Sequence, residues 1–146
     1  MYFTKRDFGV AAVTACLTIT CIFANSPGAI LDSSIFDWKD MQVKNTETGA
    51  VRTVFRSQTA TLDELECHIT TLNPGDSSHP PHKHPEEEII IIKEGIVEAL
   101  VNGKMKQVGP GSVIFQASNQ MHSIKNVGKT PTTYHVFSWH SAGMKK

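Results

Sequence analysis

Residues 82–92 of the chain read HKHPEEEIIII. This stretch places two imidazoles two residues apart, a carboxylate four residues after the second, and then four isoleucines in a row. Successive side chains of a strand point to opposite faces, so His82, His84 and Glu88 share a face if the segment is extended. Consecutive β-branched residues predict burial on both faces. The stretch therefore predicts a buried strand with metal-ligand side chains at its start.

A further candidate ligand, His122, lies 34 residues after Glu88, and Asn126 shares its face. Imidazole nitrogens and a carboxylate oxygen suit Mn(II), Fe(II), Co(II), Ni(II), Cu(II) or Zn(II). An octahedral ion with four protein ligands keeps positions free, as an open catalytic or ligand-binding site requires. Glu86 has the same parity as Glu88 and competes with it as the oxygen ligand. We predict one divalent transition metal, of unspecified identity, held by His82, His84, Glu88 and His122.

The rest of the chain predicts short strands separated by turns. Turn signals occur at 73–75, 110–111 and 128–131, and Asn102-Gly103 is typical of a two-residue β-hairpin. The predicted strands are 51–55, 65–72, 88–94, 97–101, 104–108, 112–115, 121–126 and 132–140. Closely spaced short strands predict an all-β sandwich or barrel.

The composition fits one globular domain. The chain has 146 residues, a formal net charge of zero and 40% hydrophobic residues, which is enough for a packed core. Lysine and arginine never occur in runs longer than two, so a nucleic-acid partner is disfavoured.

The first 24 residues predict an export signal. Lys5 and Arg6 precede an apolar run over residues 8–24, the order of a secretory signal peptide. Residues 4–8 also resemble a twin-arginine signal with lysine in place of the first arginine. We expect a periplasmic or secreted mature protein without a stable membrane span, and an uncleaved anchor is the lesser alternative. Cys67 then remains as a single cysteine, which favours a buried structural residue over a nucleophile.

Residues 25–50 are polar and rich in turns, and we interpret them as a lead-in to a barrel over residues 51–142. If Ile90 and Ile92 face a cavity, the isoleucines that alternate with them face outward and need cover. A partner subunit or the segment around Phe36 and Trp38 would supply that cover. We predict a homodimer.

The metal-ligand stretch resembles the first motif of the cupin family of small β-barrels. That motif runs glycine, several residues, His-x-His, three or four residues, glutamate, six residues, glycine. Here six residues separate Gly75 from His82, three separate His84 from Glu88, and six separate Glu88 from Gly95. The last two spacings match, and the first is one residue longer than the commonest form.

The second motif of the family has its counterpart around His122. It runs glycine, five residues, Pro-x-Gly, two residues, histidine, three residues, asparagine. The frame here is Gly111, Ala117, Asn119, His122 and Asn126 with every spacing intact. Ala117 replaces the usual proline and Asn119 the usual glycine, a mild change because asparagine tolerates a left-handed conformation. The resemblance covers roughly residues 60–140.

The resemblance implies a jelly-roll β-barrel and leaves the reaction open, because one fold hosts many functions. We expect a metalloenzyme of the oxidoreductase or dioxygenase type that acts on a small organic substrate. The alternatives are an isomerase or lyase, a non-catalytic module that binds a small molecule or carbohydrate, and a metal-free barrel. Apolar walls from Ile90, Ile92 and Phe115 suggest a substrate that is not highly charged.

Four further side chains are candidates for supporting roles around the metal. His79 lies three residues before His82 and could carry protons at the barrel mouth, although an exposed loop histidine is the simpler interpretation. His68, Tyr134 and His135 lie on predicted strands. Tyr134 and His135 have opposite parity, so only one of them can face the interior.

Overall fold

The computed structural model describes residues 30–144, and all regular structure within them is β-strand. The predicted signal peptide, residues 1–24, lies outside the described residues. The strands are β1 (Val43–Thr46), β2 (Gly49–Ser57), β3 (Glu64–Leu72), β4 (Glu87–Glu94), β5 (Val97–Val101), β6 (Lys104–Val108), β7 (Val113–Gln116), β8 (Ser123–Asn126) and β9 (Thr132–His140). No helix within residues 30–144 is long and apolar enough to cross a bilayer. The predicted all-β fold is confirmed.

Two antiparallel sheets face each other in a jelly-roll barrel. The larger sheet has the order β1-β2-β3-β9-β4-β7 and the smaller one β6-β5-β8. Strands distant in sequence are therefore neighbours, as in the pairing of β9 with both β3 and β4. The apolar core lies between the sheets; its buried members are Leu72, Ile90, Ile92, Val97, Ala99, Ile114, Ile124, Tyr134 and Val136.

Two turns show why the sequence folds as it does locally. Asn102 and Gly103 have φ values of 50° and 72°, which are the positive angles that a tight two-residue hairpin turn requires. Gly95 ends β4 at a φ of 82°, and a Cβ atom there would lie 2.6 Å from Cβ of Thr132. Glycine at position 95 thus permits both the left-handed turn and the close approach of β9.

The strands of the larger sheet begin before residue 51. β1 lies wholly within residues 25–50, and β2 begins at Gly49. All four residues of β1 are exposed. A strand without a buried face has no alternating apolar pattern, so no periodic signal predicts it.

The segment before β1 packs onto the outer face of the larger sheet. The rings of Phe36 and Phe55 are 5.3 Å apart. Lys93 Nζ and Arg52 Cζ lie 3.6 and 4.3 Å from the ring centre of Trp38. The aromatic residues of this segment therefore cover part of the outer face, next to β2 and the end of β4.

Within a single chain the isoleucine run is buried on one face only. Burial of the other face stays a prediction, because a partner subunit was one of the two covers expected for it. Ile90 and Ile92 are buried in the core, whereas Ile91 is 37% exposed on the outer face. The covering segment contacts β2 and the end of β4, and it leaves this part of the outer face open to solvent.

Candidate metal centre

Backbone pairing brings the two motif regions together. His82 and His122 exchange both backbone hydrogen bonds, with N···O distances of 3.1 and 2.9 Å. The backbone N–H of Asn119 donates to the carbonyl of His84 at 2.7 Å. Asn119 has a φ of 57°, the left-handed conformation that glycine usually provides. These contacts hold the loop before β4 against the loop before β8.

The three histidines converge on one point. One ring nitrogen from each of His82, His84 and His122 lies within 4.8 Å of the others. The Nδ1 atom of His84 is 3.0 Å from the carbonyl of Glu86, and that of His122 is 2.8 Å from the carbonyl of Gln120. A carbonyl only accepts hydrogen bonds, so both Nδ1 atoms donate, and in the neutral ring each Nε2 atom then holds a lone pair.

Glu88 adjoins the cluster, and Glu86 lies behind it. Oε1 of Glu88 is 3.4 Å from Nε2 of His84, and Oε2 is 3.8 Å from Nε2 of His122. The carboxylate of Glu86 lies instead 3.4 Å from Nδ1 of His84 and 3.7 Å from Nδ1 of His140. Of the two competing carboxylates, Glu88 is therefore the one beside the lone pairs.

The donor set fits a divalent transition metal. Nε2 of His122 is buried and makes no hydrogen bond to any residue between 30 and 144. A buried polar atom without a partner is costly, and coordination would satisfy it. Burial, and to a lesser extent the neighbouring imidazoles, lowers the pKa of His82 to about 4. At neutral pH His82 is uncharged, which is the form that coordinates metals.

A cavity of about 300 Å³ opens beside these ligands. Glu88 and His122 line it together with apolar side chains from both sheets, among them Val51, Leu72, Ile90, Ile124 and Val136. The hydroxyl-bearing residues Thr46, Thr48, Thr70, Ser78, Ser123 and Tyr134 complete much of the remaining wall. The site thus combines a polar, metal-binding side with an apolar chamber suited to a small molecule.

Three of the four supporting candidates line the cavity. They are His68 on β3, Tyr134 on β9 and His79, an exposed residue whose ring lies 3.9 Å from that of His82. Burial raises the pKa of the Tyr134 phenol above its ordinary value, and its hydroxyl contacts Ser78 and Thr70. The phenol therefore stays protonated at neutral pH.

His135 is a wrong prediction for a supporting role. Its neighbours on β9, Tyr134 and Val136, face the cavity, so His135 points to the outer face of the sheet. Phe115 is likewise not a cavity wall, because it is 50% exposed on the outer face of β7. Ile92 is buried in the core, and Ile90 does line the cavity.

Two other residues have structural roles. Asn126 is fully buried; its amide donates to the carbonyls of Leu72 and Thr130, and its side-chain oxygen accepts from the N–H of Gly128. Burial raises the pKa of the Cys67 thiol to about 11, so it is neutral at physiological pH. Both residues therefore have structural roles, as predicted for Cys67.

Two further residues of the candidate site, Glu66 and Ser138, were not predicted from the sequence. Oε1 of Glu66 is 2.9 Å from Nδ1 of His68, and the hydroxyl of Ser138 donates to Oε2 of Glu66 at 3.0 Å. The i, i+2 spacing of Glu66 and His68 on an alternating strand was the available signal. No sequence signal pointed to Ser138, since its contact with Glu66 depends on the pairing of β3 with β9.

Comparisons with known proteins identify the domain and its fold. The cupin domain model matches residues 68–138. No curated protein sequence matches the chain. An RmlC-like cupin from Shewanella frigidimarina is 15% identical, with a TM-score of 0.61, over 76% of this chain and 95% of that one.

Two further solved structures are similar. A predicted oxalate decarboxylase from Thermotoga maritima is 23% identical, with a TM-score of 0.60, over 73% of this chain and 99% of that one. The polyketide cyclase RemF from Streptomyces resistomycificus is 17% identical, with a TM-score of 0.59, over 80% of this chain and 89% of that one. At these identities the structures establish the fold alone. With the domain match, the shared barrel and both sequence motifs in place, the chain belongs to the cupin superfamily.

Proposed function

We propose that this protein is a metal-dependent enzyme that binds one divalent transition metal through His82, His84, His122 and Glu88. The convergence of three imidazoles within 4.8 Å, next to a carboxylate, is the observation that carries the proposal. The unpartnered Nε2 of His122 supports it further. The substrate is a small, oxygen-bearing organic molecule that occupies the adjoining cavity.

The bound ion would supply Lewis-acid or redox chemistry. The chain's own residues orient the ligands and shape the chamber. Backbone carbonyls hold the rings of His84 and His122 with Nε2 directed toward the cluster. The apolar walls limit water and disfavour a highly charged substrate, while the protonated Tyr134 phenol offers a hydrogen bond inside the cavity.

The reaction class separates the remaining candidates. Oxidoreductase or dioxygenase chemistry predicts iron and oxygen uptake. Isomerase or lyase chemistry is favoured by one specific observation, the hydrogen-bonded Glu66–His68 pair in the same cavity wall. A non-catalytic binding module, for a small molecule or a carbohydrate, would bind its ligand without turnover.

Elemental analysis of the full chain, purified from its native compartment, tests the metal proposal. We expect about one equivalent of a transition metal per chain and its loss in His122→Ala. His135→Ala is the matched control, because this histidine lies on the outer face of the same barrel. Metal content unaffected by His122→Ala, with the variant folded, would rule out the proposed ligand set.

We further propose that the protein is a homodimer that associates through the outer face of the larger sheet. Val113 is 65% and Phe115 50% exposed on the edge strand β7, and Ile91 beside them is 37% exposed. The contiguous apolar side chains on β4 and β7 form a patch of the kind that marks protein interfaces. Sedimentation of the mature protein is expected to give a dimer, and a monomer at micromolar concentration contradicts it.

Export rests on the sequence of residues 1–24, which has the charge and hydropathy order of a signal peptide. We propose that the mature chain works in the periplasm or is secreted. Mass spectrometry of the mature N-terminus after expression in the native organism tests this. A chain that retains residues 1–24 in the cytoplasmic fraction contradicts it.

A further inference from the structure

The cavity carries a histidine–carboxylate pair that the metal ligands do not use. Nδ1 of His68 lies 2.9 Å from Oε1 of Glu66, and the Ser138 hydroxyl donates to Oε2 of the same carboxylate at 3.0 Å. Both members of the pair are partly buried, with 26% and 21% of their side chains exposed. His68 itself lines the cavity.

The hydrogen bonds fix which nitrogen of His68 is available for chemistry. The bond from His68, with a smaller contribution from Ser138, lowers the pKa of the Glu66 carboxyl. An ionised carboxylate only accepts hydrogen bonds, so Nδ1 of His68 must carry the proton. In the neutral ring Nε2 then holds a lone pair. A carboxylate behind an imidazole also stabilises the imidazolium that forms when that lone pair takes a proton.

Strand pairing sets the distance between this pair and the metal ligands. Glu66 on β3 pairs with Ser138 on β9, which pairs in turn with Glu88 on β4. Two strand spacings separate β3 from β4, so the backbones of Glu66 and Glu88 lie about 10 Å apart. Both His68 and Glu88 border the same cavity of about 300 Å³. A molecule of a few non-hydrogen atoms fits between them.

We propose that His68 is the general base of this site, that Glu66 is its positioning residue, and that the substrate is a small carbonyl-containing carbon acid. The substrate in this proposal rests on the proposed function, that of an enzyme with a small organic substrate. The carbon–hydrogen bond breaks, its proton moves to Nε2 of His68, and its electron pair stays on the substrate and delocalises onto the carbonyl oxygen. Return of the proton to another carbon gives isomerisation, and loss of a β-leaving group gives elimination. The site is therefore that of an isomerase or lyase.

Imidazole nitrogen NMR of the full chain tests the positioning of His68 without any substrate. We expect His68 as the Nδ1–H tautomer in the wild type. Glu66→Ala should move it toward Nε2–H, the form that free histidine prefers. Glu64→Ala is the control, because Glu64 lies on the same strand and pairs with Arg56 instead. An Nε2–H tautomer in the wild type, or one unaffected by Glu66→Ala, overturns the role of Glu66.

Base strength in the cavity is measured with 5-nitrobenzisoxazole, a probe that needs only a general base. The base removes its ring C–H proton, the electron pair forms the nitrile, the N–O bond breaks, and the coloured phenoxide is released. We expect His68→Ala to lower the rate at least about tenfold, with a smaller loss in Glu66→Ala and none in His135→Ala. A rate unchanged by His68→Ala, or one that instead depends on His79, overturns the proposal.

The same samples separate this inference from the metal proposal. Assays before and after chelation, with metal content measured in each variant, show whether the base works independently of the ion. His68→Ala should keep the metal of the wild type. A chain that never binds metal but retains the Nδ1–H tautomer and the His68-dependent rate would rule out the proposed metal function and still support His68 as the general base. Loss of metal in His68→Ala would instead make His68 a ligand and overturn its role as the base.

Discussion

The inner and outer faces of the six-stranded sheet are built from alternating residues of the same strands, yet they have different chemistry. On β9, Tyr134, Val136 and Ser138 face the barrel interior, while His135 and Phe137 face out. The inner face carries the cavity, the Glu88 carboxylate of the proposed metal site and the Glu66–His68 pair. Within the described residues, the outer face carries apolar side chains that the segment before β1 partly covers.

Residue type alone does not predict a role in this barrel. His68 on the inner face lies beside the Glu66 carboxylate and the cavity. His135 on the outer face of β9 lies among aliphatic side chains instead. Neighbouring residues of opposite parity therefore make matched pairs for experiment, because they differ in face and little else.

The largest expected difference is between Ile90 and Ile91. Ile90 is 3% exposed in the core and Ile91 is 37% exposed on the outer face. Ile90→Ala should lower the free energy of unfolding by about 3 kcal/mol, because it leaves a cavity in a packed core. Ile91→Ala should cost less than about 1 kcal/mol. Urea unfolding of both variants measures this, and equal costs would contradict the assignment of the faces.

The second difference concerns metal affinity at Glu88 and Glu87. Glu88 lies beside the imidazole lone pairs, whereas Glu87 pairs with Trp139 on the outer face. Glu88→Gln should weaken metal binding at least about tenfold, because loss of a residue that only supports a ligand already costs about 10- to 100-fold. Glu87→Gln should leave it unchanged. Competition titration with a chelating dye gives both constants, and the proposed oxygen ligand is wrong if the variants agree.

The third comparison tests the outer-face patch against the smaller sheet. Phe115→Glu places a charge in the proposed dimer interface and should raise the dimer dissociation constant at least about tenfold. Met105 on β6 is similarly exposed, and Met105→Glu serves as the control. Analytical ultracentrifugation across a dilution series measures both. An equal effect of the two variants would place the interface elsewhere.

The smallest expected effect lies where the covering segment meets the sheet. Lys93 Nζ stands 3.6 Å from the ring centre of Trp38, and both side chains are partly solvated. Lys93→Ala should therefore lower the free energy of unfolding by only about 0.5 to 1 kcal/mol. Lys106→Ala, at an exposed position of β6, should change it less. A cost above about 2 kcal/mol at Lys93 would mean that the segment is held mainly through this contact.

Local patterns were sufficient for much of the fold. Predicted strands overlap β2 through β9, and the Asn102-Gly103 turn lies where its dipeptide indicates. Three of the predicted ligands, His82, His84 and His122, also come together, and Glu88 lies 3.4 Å from His84, because the barrel joins the two motif regions. β1 escaped detection because it has no buried face. The isoleucine run contains no alternation, so by itself it could not show which of its faces packs against the core.

The all-β class, the turns and the faces that residues share follow from the amino-acid sequence, since these depend on neighbours within a few positions of the chain. Which face lies inside depends on the strands that pair on either side, so it follows only from the three-dimensional fold. It thereby assigned Tyr134 to the cavity and His135 to the outer surface. It also joined Ser138 to Glu66 across 72 residues, a contact that arises only when β3 and β9 pair in register.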